Sequence, residues 1–232
     1  MTRLLRLAAV AAVLGGIGQI AATATEPDLP DDPMGAMAVL ADNAWFEANR
    51  VLDVLTFLLV IFALAAFART VGERGRPWAH TGLVFLAALA ALGSAAVLTQ
   101  LTLRFIATGW TAAAPDARPA QEVVYREVNE ISSNLYAGAF LAYGIFLGLL
   151  GAGVLAGRAR ARWFGWALAL AGLGLVVGTL GLIASDGAFL VVLAALGLVD
   201  VLLIVIGFAL WRILEVTPAR AHDAETFEGV EP

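Results

Sequence analysis

The amino-acid sequence predicts an all-α protein, a polytopic transmembrane bundle of six helices with both termini in the cytoplasm. Hydrophobic residues make up 61% of the 232 residues, charged residues only 14%, and the mean hydropathy is +0.87. Six apolar stretches are each about 20 residues long, the length that crosses a bilayer. Their connectors alternate between basic and acidic, because Arg is retained on the cytoplasmic side of short loops. We therefore expect one membrane domain, residues 1–214, and no separate soluble domain.

The first predicted span, residues 4–24, follows Arg3 and Arg6 and has two interpretations. A basic start, an apolar run and the small residues of Ala22-Thr23-Ala24 are typical of a cleaved signal peptide. The apolar run is also about as long as a full span. We favour a retained helix, because the rest of the chain is a membrane protein as well.

The other spans follow in order. They are predicted at residues 51–68, 81–103, 134–157, 163–184 and 188–211. Residues 36–50 have the spacing of a short amphipathic helix at the outer surface, with Trp45 and Phe46 facing lipid. Residues 109–120 contain two prolines and predict an outer loop, and residues 121–133 predict a helical extension of the fourth span.

Arginine and tryptophan positions test this topology. Ten Arg fall in predicted cytoplasmic segments (3, 6, 69, 74, 76, 158, 160, 162, 212 and 220) and four fall outside (50, 104, 118 and 126). The six Trp fall near predicted interfaces, where indole finds both apolar and polar surroundings: Trp45, Trp110, Trp78, Trp163, Trp166 and Trp211. Tight turns are predicted at residues 158–162 and 185–187. The tail, residues 215–232, lacks apolar periodicity and is predicted to be cytoplasmic and disordered.

The residue inventory argues against most membrane chemistries. The chain has no Cys, and all fourteen basic residues are Arg, so neither thiolate chemistry nor a lysine Schiff base is available. The two histidines, His80 and His222, lie at an interface and in the tail. We therefore expect no catalytic site, no metal and no cofactor. With a net charge of −5 and no basic patch, we expect the lipid bilayer as partner and no nucleic acid.

Asp200 is the acidic residue near the middle of a predicted span. Burying a carboxylate there costs about 2.5–3.5 kcal/mol on insertion scales, so we expect the side chain to face the bundle and to be neutral. Ser94, Tyr143 and Thr179 are the nearest polar residues in predicted depth and complete a candidate intramembrane polar site. Two interpretations stay open: a proton or ion site, and a hydrogen-bonded carboxyl that holds helices together.

Polar residues also gather where three helices meet the outer surface. This candidate outer vestibule consists of Glu47, Arg50, Asp53, Gln100, Arg104, Glu127, Glu130 and Asn134. The alternatives are a ligand pocket and a set of interfacial anchors or structural ties.

Glycines at a spacing of four residues favour close helix packing in the fourth and fifth spans. The pairs are Gly144 and Gly148, Gly153 and Gly157, and Gly174 and Gly178. We expect them to pack these two consecutive helices against each other within the molecule. Contact with a second copy, or with another membrane protein through these spans, is the alternative.

Six spans, a long outer segment after the third, and the turn sequence Arg162-Trp163-Phe164-Gly165-Trp166 resemble one bacterial family. It is the family of six-span membrane proteins classed as domain of unknown function 4386. Many members have Pro where this chain has Ala161, and some have an Arg in the third span, which is apolar here. The resemblance implies the fold and a membrane location, and it brings no catalytic residues.

These observations lead to two functional hypotheses. The first is a non-enzymatic integral membrane protein of the bacterial plasma membrane with a structural, accessory or sensing role. The alternative is a small proton-coupled transporter with Asp200 as the coupling residue.

Overall fold

The computed structural model describes residues 2–30, 32–157, 162–182 and 188–227, and these residues form α-helices joined by short connections. The helices are α1 (Thr2–Ala24), α2 (Pro33–Asp42), α3 (Phe46–Ala68), α4 (Arg76–Ala112), α5 (Arg118–Ala156), α6 (Arg162–Gly181) and α7 (Ala188–Phe227). Six of them, all except α2, are long and apolar enough to cross a membrane. The all-α class and the six apolar helices are therefore confirmed.

Helices α4 and α5 are longer than predicted. They contain 37 and 39 residues, or about 55 Å and 58 Å at 1.5 Å per residue, against a bilayer core of about 30 Å. The helical extension at residues 121–133 is confirmed. The loop predicted at residues 109–120 is wrong, because only residues 113–117 are non-helical. Pro119 lies in the first turn of α5, where no backbone N–H is needed, so it begins the helix.

The prediction of one amphipathic helix over residues 36–50 is also wrong. The chain breaks after α2 and restarts at Phe46. The Asp32 side chain caps the start of α2 by accepting a hydrogen bond from the Gly35 N–H at 2.9 Å. Trp45 is exposed as expected, but Phe46 is buried in a small cluster with Met37 and Leu40. The apolar side chains of α2, together with Phe46, therefore cover part of α4 and α5.

The six long helices form a closed ring in chain order. Each packs against the next, and α7 returns to α1. Short connections make neighbours antiparallel, so the bundle has two ends. We call the end with the start of α3 the Arg50 end, and the end with the start of α4 the Trp78 end. Five Trp side chains are exposed near these two ends: Trp45, Trp78, Trp163, Trp166 and Trp211.

Large apolar side chains fill the centre of the ring toward the Trp78 end. Phe67 of α3 and Phe164 of α6 meet edge to face with ring centroids 5.7 Å apart. Since α4 and α5 separate these two helices along the ring, the contact crosses its interior. Fully buried Phe146, Leu150 and Ile206 belong to the same core. This half of the bundle is therefore tightly packed and apolar.

Glycines bring helix backbones together, but only partly in the pairs expected. A Cβ built on Gly144 would lie 2.7 Å from the carbonyl oxygen of Gly172, so α5 and α6 touch there as predicted. Gly153 instead approaches Gly75 before α4, and Gly178 approaches Val192 of α7. The predicted packing of the fourth span on the fifth is therefore found at Gly144, whereas Gly153 and Gly178 pack against other parts of the chain.

Helix α1 is an integral part of the ring. It packs along α3 and α7, and five of its alanines are buried: Ala8, Ala9, Ala11, Ala12 and Ala22. A Cβ built on Gly16 would lie 2.8 Å from the carbonyl oxygen of Asp200, and one built on Gly18 would collide with the Thr56 side chain. Removing α1 would uncover Asp200, whose burial in lipid without a protein neighbour is costly.

We therefore expect α1 to stay attached in the mature protein. An intact mass of the purified protein that includes residues 1–24 is the expected result. The control is Gly16→Leu, which should lower expression of the folded protein, because a large side chain cannot fit against α7. A mature N-terminus at Thr25 would establish cleavage and contradict the prediction.

Helix α7 ends later than predicted. It is helical through Phe227, whereas residues 215–232 were predicted to be disordered. Pro218 lies inside this stretch, and a proline within a helix removes one backbone hydrogen bond, so the local sequence does not by itself favour a helix as far as Phe227. Of the predicted turns at 158–162 and 185–187, all but Arg162 lies outside the described residues.

Candidate functional site

A buried arginine organises the Arg50 end of the bundle. The side chain of Arg50 is 2% exposed. Its Nη1 donates to Gln100 Oε1 at 2.5 Å and lies 3.1 Å from Asp53, and its Nη2 donates to Glu26 at 2.9 Å. The guanidinium also lies 5.3 Å from the centroid of the Phe46 ring. Arg50 thus joins α3, α4 and the segment that follows α1, and we call these residues the Arg50 cluster.

The local sequence explains how these partners meet. Arg50 and Asp53 are three residues apart, so they are neighbours on the surface of α3. Next to them, Asn49 donates to the carbonyl oxygen of Ala22 at 3.3 Å and to Thr25 Oγ1 at 3.0 Å. The Ala22 carbonyl oxygen also accepts from the N–H of Thr25, so Asn49 adds a link between α3 and the last turn of α1. Glu26, the next residue, is thereby held beside Arg50.

Arg104 closes a second contact at this end. Its Nη1 donates to the carbonyl oxygens of Leu40 and Asn43, where α2 ends, and its Nε lies 3.1 Å from Glu47. A cationic side chain is favourable at the C-terminus of a helix because the carbonyl groups there are unpaired. Arg104 therefore fixes α2 on the bundle.

The predicted outer vestibule is partly assembled. Its five members on α3 and α4 lie in these two groups: Glu47, Arg50, Asp53, Gln100 and Arg104. Glu127, Glu130 and Asn134 are exposed, and within the described residues none of them pairs with either arginine.

The orientation of α5 explains why Glu127, Glu130 and Asn134 do not contact the two arginines. Its buried residues in this region are Tyr125, Ser132 and Ala139, which are seven apart. Glu127 and Asn134 lie two residues further on, about 200° around the helix, and so face away. The described contacts therefore do not bring Glu127, Glu130 or Asn134 into the vestibule.

Sequence reasoning missed Glu26, Asn49 and Tyr136. Tyr136 lies close enough to Arg50 and Asp53 to interact with both. The sequence did contain one indication of Glu26: an arginine next to an apolar span needs more than one polar partner, so a further acidic residue at its level is expected. Glu26 is the first acidic residue after the first span and therefore lies at the same level.

The structure buries Asp200, Tyr143 and Thr179 of the predicted intramembrane site but joins them by no hydrogen bond within the described residues. Asp200 is 8% exposed and faces protein as expected, and the buried Tyr143 hydroxyl has no hydrogen-bond partner in that part of the chain. Thr179 is buried, but its neighbour Gly178 packs against Val192. Val192 is about 12 Å from Asp200 along α7 at 1.5 Å per residue, so Thr179 lies at another depth. Ser94 is half-buried on α4, which packs mainly on α5.

The surface at the Arg50 end carries a shallow groove beside the cluster. It has a volume of about 430 Å³ and is lined by Thr25, Asn43, Trp45 and Asn49. The oxygen of the Asn49 side-chain amide has no hydrogen-bond partner in the described part of the chain. Within those residues there is also no group of three or more His, Asp or Glu that could hold a metal ion. The arrangement ties helices together at one end of the bundle.

Six helices that are long and apolar enough to cross a bilayer indicate a multi-pass membrane protein. No family model, curated protein or solved structure matches the chain. The resemblance to domain of unknown function 4386 stays a prediction.

Proposed function

We propose that this chain is a non-enzymatic integral membrane protein of the bacterial plasma membrane with a structural, accessory or sensing role. The observation that carries the proposal is the Phe67–Phe164 contact, together with the apolar core around it. A bundle filled in this way offers no polar route through its Trp78 half. The side chains of the Arg50 cluster bind one another, as expected of a structural tie.

A small proton-coupled transporter with Asp200 is the second candidate. The buried polar side chains of Asp200 and Tyr143 favour it. The helices that carry this pair are unbroken at these positions, whereas carriers commonly interrupt their spans at the binding site.

Proton flux separates the two functions. We expect liposomes containing the purified protein to dissipate an imposed pH gradient no faster than protein-free liposomes. Asp200→Asn should give the same rate as the unchanged protein. A proton flux that disappears in Asp200→Asn would refute the structural, accessory or sensing role and support the proton-coupled transporter.

The proposed orientation places the Arg50 end outside and both termini in the cytoplasm. It rests on the ten-to-four distribution of Arg, which the cytoplasmic side retains. A reporter active only in the periplasm should be active when fused after Ala114 and inactive after Arg74. Activity after Arg74 would reverse the orientation.

A further inference from the structure

The shallow groove at the Arg50 end has one buried wall and one exposed wall. Its lining residues are Thr25, Asn43, Trp45 and Asn49, so it lies where α1 and α2 end and α3 begins. Asn49 is 7% exposed, whereas Trp45 is 79% exposed and belongs to neither apolar core cluster. A fixed amide therefore stands on one side of the groove and a free indole on the other.

The hydrogen bonds of Asn49 fix the direction of its side-chain amide. Its Nδ2 donates to the carbonyl oxygen of Ala22 at 3.3 Å, and a carbonyl oxygen can only accept. Nδ2 also donates to Thr25 Oγ1 at 3.0 Å, because the Thr25 hydroxyl itself donates to the carbonyl oxygen of Ala21 at 2.8 Å. The amide oxygen is left as an acceptor without a partner in the described part of the chain. A buried acceptor without a donor is costly, so the groove favours a ligand that donates a hydrogen bond.

The charges around the groove favour a cation. Residues 25–47 contain six acidic residues and no basic one. Arg50 and Arg104 contact this segment, but both are already bound to carboxylates. Both α1 and α2 end here, and the carboxyl end of a helix carries partial negative charge. The ring of Trp45 adds an aromatic face, to which a cation is attracted.

The groove adjoins surface that faces lipid. Leu52 lies seven residues after Trp45, so it shares one side of α3 with Trp45 about 10 Å further along the helix. Leu52 and Leu55 are exposed, and α3 is long and apolar enough to cross a bilayer. Trp45 therefore lies at the boundary between acyl chains and polar surface, which is the depth of a lipid headgroup.

We propose that this groove binds the headgroup of a membrane lipid that carries a primary ammonium, such as phosphatidylethanolamine. The inference rests on the proposed membrane role and names a ligand for it. One ammonium N–H donates to Asn49 Oδ1, the positive charge lies against the Trp45 ring, and the acyl chains lie along Leu52 and Leu55. Since the amide oxygen is buried, the exposed Trp45 ring turns aside to admit the ammonium and then covers it.

Three headgroups separate the contributions of hydrogen bonding and charge. Phosphatidylcholine carries the same positive charge without an N–H, so it can contact Trp45 but leaves Asn49 without a donor. Phosphatidylglycerol has hydroxyl donors but a net negative charge, which the acidic segment repels. Only the primary ammonium matches both the amide oxygen and the charge.

The test is native mass spectrometry of the full-length protein titrated with these three lipids, all with identical acyl chains. We expect phosphatidylethanolamine to bind about tenfold more tightly than phosphatidylcholine, a difference that one hydrogen bond to a charged group can supply. Equal affinities, or tightest binding of phosphatidylglycerol, would overturn the proposal. Glycerophosphoethanolamine, the same headgroup without acyl chains, should not displace the lipid. Displacement would identify a soluble amine as the ligand and overturn the lipid assignment.

Substitutions assign the preference to the groove. Asn49→Ala should lower the affinity for phosphatidylethanolamine to that for phosphatidylcholine, whereas Trp45→Ala should weaken both lipids. Trp78→Ala removes an exposed tryptophan at the other end and is the matched control, which should change neither. A preference that survives Asn49→Ala, or equal effects of Trp45→Ala and Trp78→Ala, would contradict the site. If Asn49→Ala does not fold, the comparison of the two tryptophan variants decides.

The failure of this inference is distinguishable from the failure of the proposed function. A proton flux that depends on Asp200 would refute the non-transport role and leave the lipid preference as measured. Equal binding of the ethanolamine and choline lipids, by a protein that conducts no protons, would remove the headgroup site and leave the function in place.

Discussion

Replacing Arg50 by Met is expected to lower the free energy of unfolding by about 3 kcal/mol or more, because removing one partner leaves the others of a buried ion pair uncompensated. Arg50 is almost fully buried and binds Glu26, Asp53 and Gln100. Without it, Asp53 would have to be protonated or reach water. Thermal or denaturant unfolding in detergent measures the change.

Matched variants test whether the loss comes from the cluster. Arg126→Met removes an exposed arginine from α5 and should change the free energy of unfolding by less than about 0.5 kcal/mol. Arg50→Lys should recover only part of the loss, since an ammonium group cannot reproduce the two-pronged contacts of a guanidinium. Equal stability of Arg50→Met and Arg126→Met would refute the role of the cluster as a structural tie.

The number of long helices could be predicted from apolar length alone, because a bilayer requires about 20 apolar residues per span. Their ends could not. Charged residues such as Arg50 were treated as span boundaries, yet α3 begins at Phe46 because Glu26 and Gln100 satisfy the arginine within the fold. Helix bounds thus depend on tertiary partners that the local sequence does not reveal.

The candidate sites show the same limit. Spacing along one helix correctly placed Arg50 beside Asp53, since three residues bring side chains to one face. It failed for Glu127, because nothing local indicates which face of α5 turns toward the ring. Depth alone groups Tyr143 with Asp200; both side chains are buried, but no hydrogen bond joins them within the described residues. Thr179 was grouped with Asp200 in the same way but lies at another depth, so predicted span positions do not give depth accurately enough to assemble a site.

Gly144→Ala is expected to lower the free energy of unfolding by about 1–3 kcal/mol, the usual cost of overpacking a tight contact. The new methyl group would lie 2.7 Å from the carbonyl oxygen of Gly172 and 2.8 Å from Val176. Since a backbone atom cannot rotate away, α5 and α6 must separate. A Cβ on Gly148, one turn along the same helix, meets nothing within 4 Å, so Gly148→Ala is the matched control.

The control should be neutral or slightly stabilising, because Ala favours a helix by up to about 1 kcal/mol over Gly. Unfolding of both variants in the same detergent compares them directly. Gly144→Val should be worse than Gly144→Ala, since its branched side chain pushes α6 further. If Gly144→Ala and Gly148→Ala were equally stable, the approach of α5 to α6 at Gly144 would not be what holds these helices together. The glycine spacing would then have another role, such as contact with a second copy of the chain.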